Sequence, residues 1–554
     1  MIHDALHLRD GESLAAEICI VGAGAAGITL ALELASSGAS VLLLESGGLK
    51  PERHAQRLYE GSVADERLHS PPHRYRQRRF GGTTTIWGGR CVPFDDIDFE
   101  ARDYVPLSGW PIDRQQLLPF YRRANELCEA GAFEYQAAQA FTRPLRPMLE
   151  GFSSEHFTTD SLERFSCPTD FGKRYAAQLR AAGSVRVLLH ANLTQLRLHP
   201  DGTAVQSLVV RTLGGRQFTV RAGTVVLAAG GLEVARLLLA NRDGAGAHGI
   251  GNAHDLVGRY YMCHIAGTLG TLRQGGTHDR IWHGYERAAD GVYCRRRLAL
   301  SPATQRRLRI GNFIARLHHP RITDPAHRTA VLSALQLAKG LISYEYGKRL
   351  HGEERVGAGA WLAHVANVLR APGEVLAFGH HMVRDRFLAK RKFPSIIVTS
   401  SAGHYSLDFH AEQQPNAASR VSLADERDAL GTPQLRIDWR YTSGDVTTVR
   451  TAVELFARDV AASGIGSFDY DPQSIELEMS RYGAYGGHHL GTARMGSDPR
   501  TSVVDADCRI HGMANLYVAG GAVFPTSSQA NPTLTIVALA ARLAAHLRAL
   551  RQRG

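Results

Sequence analysis

Residues 18–21 and 41–44 are short unbroken apolar runs, and between them, over 25–36, apolar residues recur at helical spacing. Runs of that length without a polar break predict buried strands, and the spacing between them predicts a helix. Strand, helix, strand in that order is a parallel crossover unit. Further apolar runs at 185–189, 193–198 and 204–211 predict strands of a small antiparallel unit, with Asp201-Gly202 as a turn. Residues 224–228 predict a buried strand leading into a helix over 232–241. Residues 516–519 predict a last strand, and a long apolar helix starts at Asn531-Pro532, where proline suits the first helical position.

Elsewhere the pattern is weaker. Residues 49–79 are polar, basic and without clear period, and read as loop. A helix follows Trp110-Pro111, with Asp113 as its N-cap. Residues 130–175 show no clear pattern. From about 270 to 480 the chain changes character: helices are expected at 327–350, 357–371 and 373–390, and strands at 395–399, 405–410, 416–424 and 435–439. A chain of 554 residues exceeds what one core normally supports. Two units are therefore expected, one from 1–100, 175–270 and 481–554, the other from 101–174 and 271–480.

The turn between the first strand and helix, GAGAAG, has the spacing of a dinucleotide fingerprint. Gly22 permits the sharp turn, Gly24 and Ala26 keep side-chain bulk away from a pyrophosphate, and Gly27 lets helix and strand pack closely. The helix N-terminus offers unpaired N–H groups and partial positive charge. Glu45, at the end of the second strand, is placed to accept from a ribose 2′-hydroxyl and would repel a 2′-phosphate. FAD or NAD(H) fits this pattern, and NADP does not.

Composition narrows the class further. The chain is 44% hydrophobic and 21% charged, as soluble globular proteins are. Lys plus Arg number 64 against 53 acids, a net +11, but the excess is spread along the chain and Arg-heavy. It reads as a solvated basic surface and not as a nucleic-acid footprint. The basic run at 384–392 reads as a solvated helix end, with a membrane surface or partner as the less favoured reading. Seven dispersed cysteines form no CxxC pair, which excludes a flavin disulfide reductase and predicts no metal site. With a polar N-terminus and no apolar stretch expected to span a bilayer, a cytoplasmic location is expected.

Two more glycine-rich stretches point to the same ligand. In RRFGGTTTIWGGRC, Gly81, Gly82, Gly88 and Gly89 flank Thr83, Thr85 and Trp87, as though backbone were brought against a flat group. The 224–228 strand runs into Ala229-Gly230-Gly231, a second strand-to-helix glycine turn. Near the C-terminus, HHLGTARMG (488–496) precedes Gly520-Gly521 and NPTLT (531–535).

On GAGAAG with Glu45, GGTTTIWGG, VVLAAGG and HHLGTARMG through NPTLT, the chain resembles the glucose–methanol–choline (GMC) oxidoreductases. Within them it is most similar to the bacterial branch allied to pyranose oxidases and sugar dehydrogenase large subunits. The resemblance implies an α/β fold, with a Rossmann-like FAD-binding domain built from discontinuous segments and an α+β substrate domain with an antiparallel sheet. It also implies that the glycines, Ala26, Glu45, Thr83, Thr85, Trp87, Leu193, Ala229, Gly230, Gly520, Gly521, Asn531, Pro532 and Thr533 hold FAD. By position, His488 is the catalytic base and Asn531 its partner, while His489 is expected to point elsewhere. The implied reaction is oxidation of a CH–OH group, of a sugar or glycoside by branch, by hydride transfer to flavin N5. The alternative is a sterol or long-chain alcohol oxidised at a membrane surface. Pyranose oxidases attach flavin to a histidine before the tryptophan; Ile86 stands there, so non-covalent FAD is expected. Around Cys167 the chain has only FSCPTDFG, so no built-in electron relay is expected, and the acceptor (oxygen, quinone or a protein) is left open.

Overall fold

The computed structural model describes all residues except 143–145, 243–247, 276–279, 342–355, 400–401, 482 and 554. The tail of the helix expected over 327–350 therefore lies outside the described residues, and its first part is the helix Ala330–Leu337.

The expected α/β architecture is present. In the first sheet the strand order is Ile2–Asp4, Val185–Leu189, Val41–Leu44, Ser13–Val21, Gln217–Leu227, Val205–Arg211 and Asn192–Leu198, with Leu516–Val518 paired to Gln217–Leu227. Its first five strands and Leu516–Val518 run parallel. Val185–Leu189 thus differs from expectation: it pairs in parallel with Val41–Leu44, and its run is buried almost throughout, as a strand covered on both faces must be. The antiparallel unit is instead completed by the first half of Gln217–Leu227. That half alternates polar and apolar residues, and only its buried end stands out in the sequence.

The second sheet is antiparallel, in the order Gly466–Asp469, Met262–Gln274, His404–Glu412, Phe313–His318, Leu298–Leu300 and Phe157–Thr158. Tyr485–Leu490 pairs with the start of Met262–Gln274. The strand Met262–Gln274 crosses residue 270, and Tyr485–Leu490 brings the HHLGTARMG motif to the edge of this sheet. One continuous apolar cluster runs from Ile20 and Leu43 in the first sheet to Phe313 and Phe409 in the second. The two sheets are therefore packed as one core, and the site lies along their junction.

Side-chain caps open several helices. Asp113 caps Arg114–Leu127 as expected, accepting from the Gln116 N–H at 2.7 Å. The polar stretch 49–79 is not all loop: it contains the short helix Arg53–Arg57 and the strand Gly61–Val63, which pairs with Pro433–Asp438. Residues 395–399 form no strand, and the strand expected at 416–424 is displaced to Arg420–Arg427. Ser443–Ala462, absent from the expected elements, is a helix opened by a Thr442/Asp445 capping box. Against the expectation that no apolar stretch reaches bilayer-spanning length, Thr533–Arg553 meets it by length and composition. Its buried face fills the core, against Ala25–Leu34 and Arg114–Leu127.

Candidate active site

A cavity of about 590 Å³ runs along the junction of the two sheets. Gly22, Gly24, Ala26, Glu45, Gly82, Thr83, Trp87, Gly88, Gly89, Leu193, Ala229, Gly230, Gly520, Gly521, Asn531, Pro532 and Thr533 all line it, as does His488. Gly27, Gly81 and Thr85 do not, and each lies just behind the wall. A Cβ on Gly27 would meet the Gly22 carbonyl oxygen at 1.8 Å, so helix and turn touch only because it has none. The Gly81 N–H donates to the Ala23 carbonyl at 2.9 Å, and Thr85 Oγ1 to the Gly82 carbonyl at 2.9 Å.

The donor set fits a dinucleotide. Three helices, Ala25–Leu34, Gly231–Ala240 and Thr533–Arg553, begin at residues of the cavity wall. The first two start at Gly24 and Gly230 with no side-chain cap, leaving their first-turn N–H groups for a ligand. Gly24 has nothing within 4 Å of where a Cβ would stand, whereas a Cβ on Gly82 would meet the Gly24 Cα at 2.9 Å. The GGTTT turn therefore closes over the fingerprint turn without filling the space in front of it. Glu45 is buried. It accepts from Ala23 N–H through Oε2 and from Gly47 N–H through Oε1, both at 2.9 Å. Burial raises its pKa, against the pull of these two N–H groups. An ionised carboxylate has further lone pairs, so Glu45 retains acceptor capacity for a ribose. Trp87 is held by donation from Nε1 to the Thr169 carbonyl at 2.9 Å.

One wall carries charges, two of them, Arg76 and Arg78, from the stretch expected as loop. Arg76 and Arg78 each lie 3.2 Å from Glu233, and Arg236 bridges Glu233 and Asp428, at 3.5 and 2.7 Å. All five line the cavity and are nearly buried. Burial pushes Glu233 upward, but Arg236, Arg78 and Arg76 hold it at about 2. The basic run at 74–79 was the available signal.

Around His488 the hydrogen bonds set one another. Arg90 Nη1 donates to Asn531 Oδ1 at 3.4 Å, and Asn531 Nδ2 lies 3.2 Å from His488 Nε2. His488 Nδ1 lies 2.8 Å from His264 Nδ1, the two rings edge to face. Arg90 is anchored behind by Glu163 at 3.4 Å. Burial pushes Glu163 upward, yet Arg316 and Arg90 hold it at about 2. An arginine has donors only, so Asn531 must turn its oxygen to Arg90 and its NH₂ to His488. His488 Nε2 is then an acceptor, its proton sits on Nδ1, and His264 Nδ1 accepts that proton's hydrogen bond. Burial lowers His264 to about 4, which keeps it neutral for that role. Arg90, Glu163 and His264 were missed. Arg90 directly follows the glycine motif, but nothing local marks the other two.

His489 lines the cavity too, but its ring has other partners than that of His488. Its Nδ1 lies 2.6 Å from the Tyr261 hydroxyl, which lies 2.8 Å from His69 Nε2, and Cys263 Sγ donates to the same hydroxyl at 3.3 Å. His69 Nδ1 faces the Ser70 carbonyl at 2.6 Å and so carries the proton. Tyr261 therefore donates to His69 and accepts from His489 Nδ1–H and Cys263. His69, Cys263 and His489 have ligand atoms within 4.8 Å of one another, a spacing that can hold a metal ion. The tyrosine hydroxyl already accounts for the grouping. Burial holds His489 well below its ordinary pKa, and Arg76 lowers it further.

A family model described as FAD dependent oxidoreductase matches residues 17–381, and one described as GMC oxidoreductase matches residues 415–540. The chain belongs to the FAD-dependent oxidoreductases, and it carries a GMC oxidoreductase C-terminal domain. It is 26% identical to the 6'''-hydroxyparomomycin C oxidase of Streptomyces lividus, over 96% of this chain and 92% of that protein. It is 24% identical to the fructose dehydrogenase large subunit of Gluconobacter japonicus, over 96% and 98%. Over 24% of each chain it is 35% identical to the C-glycoside 3-oxidase of Microbacterium trichothecenolyticum. Among solved structures, pyridoxine 4-oxidase from Mesorbium loti shares the fold, with TM-score 0.54 and 18% identity over 96% of this chain and 99% of that one.

Proposed function

We propose that the protein oxidises a CH–OH group of a sugar or glycoside, with His488 Nε2 as the base and FAD held non-covalently. The observation that carries the mechanism is the orientation of Asn531 by Arg90, which leaves His488 Nε2, in the cavity wall, as the unprotonated nitrogen. When bound, FAD supplies the two-electron acceptor for the hydride leaving the carbinol carbon. The chain's own residues handle the proton and the alcohol oxygen. His488 Nε2 takes the hydroxyl proton, and its Nδ1–H remains hydrogen-bonded to His264, whose accepting nitrogen stabilises the imidazolium that forms. His264 does not compete for that proton, because burial opposes charge on it. The Asn531 NH₂ holds the alcohol oxygen beside the base. The uncapped helix starts at Gly24 and Gly230 would hold the pyrophosphate, Glu45 the adenosine ribose, and the start of Thr533–Arg553 the flavin ring's electron-rich edge.

The substrate class is supported by the full-length likeness to proteins named for an aminoglycoside and for fructose, and by the local likeness to C-glycoside 3-oxidases. Non-covalent attachment is supported by Ile86, which lines the cavity before Trp87 and offers no nucleophile.

The test is anaerobic bleaching of the flavin by a panel of sugars, glycosides and long-chain alcohols, followed by stopped-flow reduction with the best of them. His488→Ala should slow reduction by about 10²- to 10⁴-fold with FAD retained. His489→Ala should slow it far less, since its Nδ1 is committed to Tyr261. Bleaching by long-chain alcohols alone would refute the sugar reading, and a normal rate in His488→Ala would refute the base.

A further inference from the structure

The helices Ala358–Arg370 and Pro372–His381, continued by a π-helical turn over Met382–Leu388, leave most of their large apolar side chains exposed. Toward the protein body they turn Phe378, which packs on Val331 and Leu332, and two buried polar side chains. His364 is fully buried with Nδ1 at 3.0 Å from the Ser333 hydroxyl, and Asn367 donates to the Pro325 carbonyl at 2.9 Å. Outward they present Leu362, Leu369, Leu376, Phe387 and Leu388, which are 63 to 77% exposed, with Trp361 half-exposed among them. Single exposed leucines are ordinary, but so many large exposed apolar side chains within one short segment mark a contact.

The charge of this segment is one-sided. Arg370, Arg384, Lys390 and Lys392 are exposed, whereas the only acids from 358 to 392 are Glu374 and Asp385. Asp385 is already bonded to Arg384 and His381, at 2.7 Å each.

We propose that this face docks on an anionic lipid surface. Leucine, phenylalanine and tryptophan beside lysine and arginine is the composition of helices that lie in a bilayer interface, where long basic side chains reach back to the headgroups. A second copy of the chain is a poorer occupant. A two-fold contact would set Arg384, Lys390 and Lys392 against themselves, in a chain that carries +11. The same segment supplies Arg386, Pro394 and Ser395 to the cavity wall, so docking would bring the cavity beside the bilayer.

The test is flotation of the full-length holoenzyme with vesicles of phosphatidylcholine alone and of phosphatidylcholine and phosphatidylglycerol in equal parts. Binding to the anionic vesicles is expected at low salt, weakening as salt rises. Lys390→Gln with Lys392→Gln should weaken it by about fivefold per charge. Leu369→Gln with Leu376→Gln should weaken it by roughly tenfold or more. These positions are exposed and outside the cavity wall, so flavin content should not change. Absence of binding to anionic vesicles overturns the proposal. So does binding indifferent to the leucine pair, which would reduce it to attraction of a basic protein. A dimer, or a complex with an acidic protein, that the leucine pair abolishes while vesicle binding is absent overturns it as well.

Discussion

Arg90 Nη1 lies 3.4 Å from Asn531 Oδ1, and this one contact decides which way the asparagine amide faces. Reversing the amide would set its NH₂ against a guanidinium and leave two donors face to face. The tautomers of His488 and His264 follow from that orientation. A residue outside the expected site thus sets the chemistry of the two inside it.

Asn531→Asp tests the arrangement. The new carboxylate still accepts from Arg90, but toward His488 it can only accept, so it favours a proton on Nε2. The imidazolium is stabilised, its pKa rises, and the base is occupied at neutral pH. Stopped-flow flavin reduction should fall at pH 7 and recover partly as pH rises, with its midpoint displaced upward from the parent enzyme's. An unshifted pH profile would show that the amide does not face His488.

Glu45→Ala should weaken FAD retention while leaving the reduction rate of retained flavin near normal, because Glu45 lies at the strand end and away from His488. It also removes acceptors from the Ala23 and Gly47 N–H groups, each loss worth on the order of 1–3 kcal/mol if buried. Flavin content after gel filtration and the melting temperature are the two readouts. Full flavin occupancy in the variant would remove Glu45 from the cofactor site.

Acid precipitation should leave the yellow colour in the supernatant, since no nucleophile stands at position 86. Flavin that remains in the washed pellet would mean a covalent bond formed by another side chain of the cavity.

Stability should fall in acid through buried histidines. Burial, helped by Arg295 and His319, lowers His283 to about 3, and burial lowers His264 to about 4. Each binds a proton more readily unfolded, near 6.5, than folded. Their contribution is full above pH 6.5 and is lost as pH falls through the folded values. Asp98 and Asp445 act in the opposite sense: burial raises each to about 7, so their contribution is lost as pH rises. His283→Phe isolates one term. Its melting temperature should decline less than the parent's between pH 6.5 and 4, and an unchanged slope would mean that His283 is already charged in the fold.

What the sequence determined by itself was local or carried by motif. The turn at Gly22, Gly24 and Gly27 is legible because strand, turn and helix are contiguous, and their conformations depend on residues a few positions apart. The Asp113 cap is legible for the same reason. His488 and Asn531 were found together only through the family resemblance, and the fold then set them 3.2 Å apart. The helix Ser443–Ala462 carried its own signal in Thr442, Asp445 and regularly spaced apolar residues, and went unread.

Only the tertiary structure decided the rest. Val185–Leu189 became a parallel strand because Val41–Leu44 offered its edge, and pairing partners leave no mark in a short apolar run. Arg76 and Arg78 became cavity residues because Glu233, 155 and more positions away, neutralises them there. Arg90, Glu163, His264, His488 and Asn531 form one hydrogen-bonded and ion-paired chain drawn from five separate stretches. The energy of such a chain depends on distance and burial, which only folding creates, so no spacing along the sequence could have announced it.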